Sequence, residues 1–168
     1  MATVYISLGS NVDREIHTRS GLDALHRYFN PLTLSRLFES EAIGFDGSPF
    51  YNMVIKGHTK LALEQVLVLL KGIESANGRR PGDKKFAPRT LDLDLLLYDA
   101  LVTRAPVVLP REEILYNAFV LWPLSELAPT FIHPQTGDSL ASLWQQFDKQ
   151  SQTLTPIDFT WKPKYDPD

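Results

Sequence analysis

Apolar positions recur along the chain at two spacings, and the switches between them mark out the elements. Residues 3–8, TVYISL, are β-prone and end at Gly9. Ser10, Asn11 and Asp13 then offer a capping pattern for a helix to about residue 29, with Ile16, Leu22, Leu25 and Phe29 expected toward the core and Pro31 ending it. LTLSRLFES alternates for most of its length and predicts a second strand, and FYNMVIKGHT predicts a third. Between them lies EAIGFDGSP, a glycine- and proline-containing loop long enough to close over a ligand. Residues 61–76, LALEQVLVLLKGIESA, carry Leu, Val and Ile at helical spacing, and after the break NGRRPGDKKFAPR comes a fourth strand within RTLDLDLLLY. The order β-α-β-β-α-β predicts an α+β fold with both helices on one face of an antiparallel sheet.

Beyond that unit, REEILYNAFVLWPLSELAP predicts helix interrupted at Pro123, and SLASLWQQFD a short final helix. From about residue 150 the chain turns polar with Pro156, Pro163 and Pro167, so a single domain over 1–150 followed by a tail over 151–168 is expected. Phe159, Trp161 and Tyr165 predict that part of this tail packs onto the body.

Composition narrows the class. The chain has 168 residues, 43% hydrophobic and 22% charged, which are globular values that argue against a disordered chain. A net charge of −3 gives no general attraction to nucleic acid or an anionic membrane, so any basic site must be local. With no cysteine, disulfides and thiolate zinc sites are excluded. The opening MATVYISLGSN lacks a basic leader and a long apolar run, and no run approaches the ~20 residues that span a bilayer. A cytoplasmic protein without a membrane or nucleic-acid partner is expected, with a monomer as the default assembly.

The chemistry concentrates in the fourth strand. Alternate strand residues share a face, so Asp92 and Asp94 point the same way with Cα atoms roughly 6.5–7 Å apart, opposite Leu91, Leu93 and Leu95. From Leu95 to Leu97 both faces are apolar, so the acids sit where the strand enters covered territory. Two uncompensated carboxylates there cost several kcal/mol per ion, by order of magnitude. Divalent metal supplies compensation, since Mg²⁺ takes one or two carboxylates plus phosphates and water, and paired ions sit ~3.5–4 Å apart. A solvated edge strand accounts for a bare Asp-x-Asp equally well. Upstream, however, lie Arg79, Arg80, Lys84, Lys85 and Arg89, opposed only by Asp83. Cations beside a metal bracket point to polyphosphate. Gly78, Pro81 and Gly82 give this segment the makings of a flap, and a solvent-facing basic loop is the plain alternative. A nucleic-acid patch would want an aromatic signature that is absent. No Walker or G-x-G-x-x-G loop occurs, and His17, His26, His58 and His133 show no metal-ligand spacing.

YISLGSN, FYNMVI, IESANGRR, APRTLDLDLLLYD and FVLWPLSELAP, in this order and spacing over roughly residues 3–145, resemble the 6-hydroxymethyl-7,8-dihydropterin pyrophosphokinases of the folate pathway. The resemblance implies a ferredoxin-like core elaborated by C-terminal helices, and transfer of pyrophosphate from ATP to the hydroxymethyl group of a reduced pterin with release of AMP. It implies that Asp92 and Asp94 hold two Mg²⁺ ions, and that Arg79 and Arg89 grip the triphosphate. Glu74, Lys71, Lys84, Lys85 and Arg111 would lie on the nucleotide side. Asn52 would hydrogen-bond the pterin edge, Phe119 would stack on the ring, and Phe50 and Ile43 would complete the pocket.

The chain departs from the family pattern at its rim. Arg111 and Asn117 stand where the family usually has histidine and arginine, Phe86 and Ala87 replace tryptophan and glycine, and Ser40, Glu41 and Ala42 replace Thr-x-Pro. One residue is missing between Tyr98 and Pro110. Arg111 could restore to phosphate the positive charge those positions usually give. A divergent non-catalytic or low-activity paralogue that binds pterin or nucleotide is the alternative reading.

Overall fold

The computed structural model describes residues 1–40, 49–78 and 90–163. Strand β1 (Ala2–Ser10) leads into helix α1 (Arg14–Phe29), the short strands β2 (Thr33–Leu34) and β3 (Leu37–Ser40), the long strand β4 (Phe50–Thr59), helix α2 (Leu63–Ala76) and strand β5 (Asp92–Tyr98). A 3₁₀ turn at Glu112–Leu115, helices α3 (Ala118–Leu127) and α4 (Leu140–Gln146) and strand β6 (Leu154–Ile157) follow.

The strands form one sheet in the order β5-β1-β4-β3-β6, and every pairing is antiparallel. β2 and β3 both lie along β4, so they are one predicted strand broken in the middle. Ser35 makes the break tolerable: its hydroxyl accepts the Val54 N–H at 2.9 Å while its own N–H donates to the Val54 carbonyl at 2.9 Å. The expected β-α-β-β-α-β core is therefore present, with the fourth strand beside the first.

Side-chain alternation divides the sheet into two apolar faces. Val4, Ile6, Leu8, Met53, Ile55, Leu93 and Leu95 meet Leu22, Leu25 and Phe29 of α1 and Val66, Leu70 and Ile73 of α2. The other face sets Tyr5, Val54, Leu96 and Leu97 against Ile114, Val120, Leu121, Leu124 and Leu140. A register shift between Tyr5 and Ile6 inserts one extra residue into β5, which is why Leu96 and Leu97 can both serve the second face. Gly57 lets α1 approach β4, since a Cβ there would lie 2.8 Å from Phe29 Cβ.

Several expectations change. Ile16 is 68% exposed, because the buried stripe of α1 runs through Thr18, Gly21, Leu22, Leu25 and Phe29, and Ile16 lies about half a turn from it. Asp13 is the N-cap but makes no side-chain capping bond. Pro123 lies inside α3 and does not interrupt it. Loss of its single N–H is outweighed by burial of Ala118, Val120, Leu121, Leu124 and Pro123 itself, and the helical break falls at Tyr116 and Asn117. Within the expected tail, residues 154–157 pair with β3 as β6. Phe159 and Trp161 pack against the first apolar face, while Arg19 donates to the Thr160 carbonyl at 2.8 Å and Trp161 to Asp23 at 2.9 Å. Tyr165 lies outside the described residues. Among those described, no helix is long and apolar enough to cross a membrane.

Candidate active site

Strand register builds the site. Asp92 lies opposite Gly9 and Asp94 opposite Ser7 on β1, Gly9 lies opposite Asn52 on β4, and Asn52 opposite Phe38 on β3. One row therefore crosses four strands from Asp92 through Gly9 and Asn52 to Phe38. Because Leu93 and Leu95 face α1 and α2, Asp92 and Asp94 face the other way. On that side α3 and α4 cover the apolar half of the sheet, and the Asp94 side chain keeps 33% of its exposure. Gly9 leaves a gap in the row: a Cβ there would come within 3.4 Å of Asn52 Oδ1 and 3.8 Å of the Phe50 ring.

Bonds to neighbouring elements hold the row. Asn52 is 7% exposed and its Nδ2 donates to Ser40 Oγ at 2.7 Å. Glu74, near the end of α2, accepts the Leu93 N–H at 2.7 Å, fixing β5 between its two aspartates. Ser10 donates its hydroxyl to the Thr90 carbonyl, tying the end of β1 to the residue before β5. Arg111 donates from its main chain to the Leu96 carbonyl and from Nε to the Leu95 carbonyl, each at 3.0 Å. This leaves its Nη2 3.8 Å from Asp94 Oδ1. Asn117 spends its amide on Glu113 at 3.1 Å.

Of the residues predicted from sequence, Asp92, Asp94, Asn52, Phe50 and Arg111 gather around this face. Phe119, in the first turn of α3, is half-buried at the margin of the second apolar cluster. Glu74 and Lys71 belong to α2 on the opposite layer, with Lys71 exposed. Ile43, Arg79, Lys84, Lys85 and Arg89 lie outside the described residues, as do Glu41, Ala42, Phe86 and Ala87. Two features had no assigned role in the sequence reading. Gly9 reads there as a strand end and as part of a motif, and Ser40 as the last residue of a predicted strand and as a replacement. Alternation along β3 could have placed Ser40 beside β4, but the pairing partner needed the register.

Among the described residues there is no group of three or more His, Cys, Asp or Glu side chains that could hold a metal. A pair of carboxylates is nevertheless what Mg²⁺ takes from a protein when substrate phosphates supply the remaining oxygens, so the donor set fits that ion better than an all-protein cage. The arrangement sets two carboxylates on one face of β5, a positively charged side chain beside them, and a polar amide next to the side-chain-free Gly9.

Residues 5–129 match the family model described as 7,8-dihydro-6-hydroxymethylpterin-pyrophosphokinase (HPPK). The chain is 36% identical over 137 residues to the 2-amino-4-hydroxy-6-hydroxymethyldihydropteridine pyrophosphokinase of Aquifex aeolicus, covering 80% of this chain and 85% of that protein. It is 37% identical over 168 residues to the folic acid synthesis protein fol1 of Pneumocystis carinii, covering 96% of this chain but only 22% of that longer protein. The fold is similar to the crystal structure of wild-type Plasmodium falciparum HPPK-DHPS with SDX-DHP, at a TM-score of 0.67 and 12% identity, over 87% of this chain and 43% of that one. The chain thus spans less than half of that solved structure and about a fifth of the fungal protein.

Proposed function

The chain belongs to the 7,8-dihydro-6-hydroxymethylpterin-pyrophosphokinase family, and from that membership we propose that it transfers a pyrophosphoryl group from ATP to 6-hydroxymethyl-7,8-dihydropterin in folate biosynthesis. The hydroxymethyl oxygen attacks the β-phosphorus, the bridge to the α-phosphorus opens, and AMP leaves. The single observation that best supports this reading is the shared face of Asp92, Asp94 and Asn52, separated by the side-chain-free Gly9.

In this reading Asn52 reads the pterin edge, because one amide offers both a donor and an acceptor, and Phe50, Phe119 and Ile43 supply flat or apolar walls. Asp92 and Asp94 would hold two Mg²⁺ ions, which would supply positive charge to neutralise the phosphates. Arg79 and Arg89 grip the triphosphate, and Lys71, Lys84, Lys85 and Arg111 add positive charge on the nucleotide side. Glu74 serves that side through its hold on β5. Such catalysis is positioning and electrostatic stabilisation with little covalent work for the protein. We place this activity in the cytoplasm, in a monomer whose partners are two small molecules.

Incubation with ATP, Mg²⁺ and the hydroxymethyl dihydropterin tests the reading. AMP and the pterin diphosphate are expected in equal amounts. ADP or free phosphate would instead mean a hydrolase, and measurable binding without turnover a non-catalytic paralogue. Asp92→Ala and Asp94→Ala should each lower turnover by at least about 10²–10³. Both aspartates are only partly buried, so the melting temperature should move by no more than a few degrees.

A further inference from the structure

Arg14 is the first residue of α1, where a cation meets the positive end of the helix dipole and so weakens its own helix. Its charge is used across the sheet instead. Nη1 lies 2.7 Å from Glu39 Oε2 and donates to the Pro49 carbonyl at 3.1 Å, and the guanidinium carbon sits 4.0 Å above the centre of the Tyr51 ring. One side chain thus touches β3, the residue before β4, and β4 itself. The Arg14 side chain is 29% exposed, so these contacts are partly shielded from water. Strand alternation puts Glu39 and Tyr51 on the face under α1, and Phe50 and Asn52 on the face of the site. Phe50 is the first residue of β4 and pairs only with Ser40, because the β1 register ends with Ser10 opposite Tyr51. Its two chain neighbours, Pro49 and Tyr51, are both held by Arg14.

Resting on the pterin reading above, we propose that Arg14 is a positioning residue for the pterin pocket, acting through the sheet on Phe50 from the face opposite the site. By fastening Glu39, Pro49 and Tyr51 to α1, it fixes the direction in which β4 begins. The place of the Phe50 ring follows, 3.8 Å from where a Cβ on Gly9 would stand. A guanidinium suits this task, because its plane stacks on the tyrosine while its edge serves the carboxylate and the carbonyl, whereas an ammonium has no flat face. Asp92 and Asp94 lie on β5, two strands from β4 across β1. The influence of Arg14 is therefore confined to the pterin side.

Steady-state kinetics of the full chain with Arg14→Ala, Glu39→Ala, the double variant and Arg19→Ala test this. The wild type is measured first, and failure to release AMP from ATP and the hydroxymethyl dihydropterin would remove the pterin reading itself. Given an active wild type, Arg14→Ala should raise KM for the pterin about five- to tenfold, the size of one charge-assisted contact, while kcat and KM for ATP stay within about twofold. Glu39→Ala should raise the pterin KM less, about two- to threefold. Adding it to Arg14→Ala should bring no further increase, because the two side chains act as one unit. Arg19 also fastens α1, but its bonds go to Glu15 and to the Thr160 carbonyl. Arg19→Ala should therefore leave the pterin KM unchanged. The proposal is overturned if Arg14→Ala does not move the pterin KM, if the pterin and ATP values rise together, or if the double variant sums the two single effects. It is equally overturned if Arg19→Ala raises the pterin KM as much as Arg14→Ala, since that outcome reports a general loosening of α1.

Discussion

At the scale of single residues, Arg111 shows how a replacement can be read chemically. Its Nε is spent on the Leu95 carbonyl and its main chain on the Leu96 carbonyl, so the guanidinium is fixed at the root and its far end faces Asp94 at 3.8 Å. That spacing is long for a hydrogen bond and suits a cation held in reserve for a shared anionic partner. Arg111→Ala should raise KM for ATP by about tenfold or more, the loss of one charge-assisted contact, and leave KM for the pterin unchanged. An unaltered ATP KM would remove Arg111 from the nucleotide site. The residue scale is also where the sequence was most legible. Asp92 and Asp94 were placed on one face by strand alternation alone, and Asn52 by its match to a family motif. What sequence could not supply was register. Gly9 between Asp92 and Asn52, and Ser40 beside Asn52, are neighbours only because β1, β3 and β4 pair in one alignment.

At the scale of elements, α3 depends on a segment far away in sequence. Its N-cap, Asn117, makes no side-chain capping bond to the helix. Instead Gln152 accepts the Ala118 N–H at 2.8 Å and donates to the Tyr116 carbonyl at 2.8 Å, so its amide splints the start of the helix that carries Phe119. The sequence of residues 111–129 predicted helix interrupted at Pro123, but a cap supplied from 34 positions away leaves no local signal. The same blindness applies to β6, whose polar, proline-containing sequence reads as tail until β3 offers it an edge. Gln152→Ala should cost about 1 kcal/mol, the usual cost of a lost cap, and lower the melting temperature by about 2–4 °C. Deletion of 151–168 should lower it further, because β6, Phe159 and Trp161 leave with the cap. Thermal unfolding followed by circular dichroism ranks the two, and equal melting temperatures for deletion and wild type would mean that this segment contributes nothing to the body.

At the scale of the whole molecule, the two faces of the sheet have different duties. The face under α1 and α2 is apolar along β1, β4 and β5, and the pattern of Val, Leu and Ile in the sequence announced it. The opposite face is shared between an apolar half under α3 and α4 and the polar row of the site, so the connection between those helices helps set how far the cover extends. His133 lies in that connection, 1% exposed. Its Nδ1 accepts the Gln135 and Thr136 N–H groups at 3.2 and 3.3 Å. Protonating that nitrogen would break both bonds and bury a charge. Burial holds the His133 pKa below its ordinary value of 6.5, and the nearby Asp138 carboxylate only partly opposes this. Between the depressed folded value and 6.5 the unfolded chain therefore binds more protons than the folded one, and stability falls as pH drops through that window while staying level above it. Melting temperatures measured from pH 7.5 down to 5.5 should decline below about 6.5. His133→Asn, whose side-chain oxygen can still accept from both N–H groups but cannot titrate, should flatten the slope. A wild-type profile that is level across the range, or an unchanged slope in the asparagine variant, would show that the cover over the second face is indifferent to this histidine.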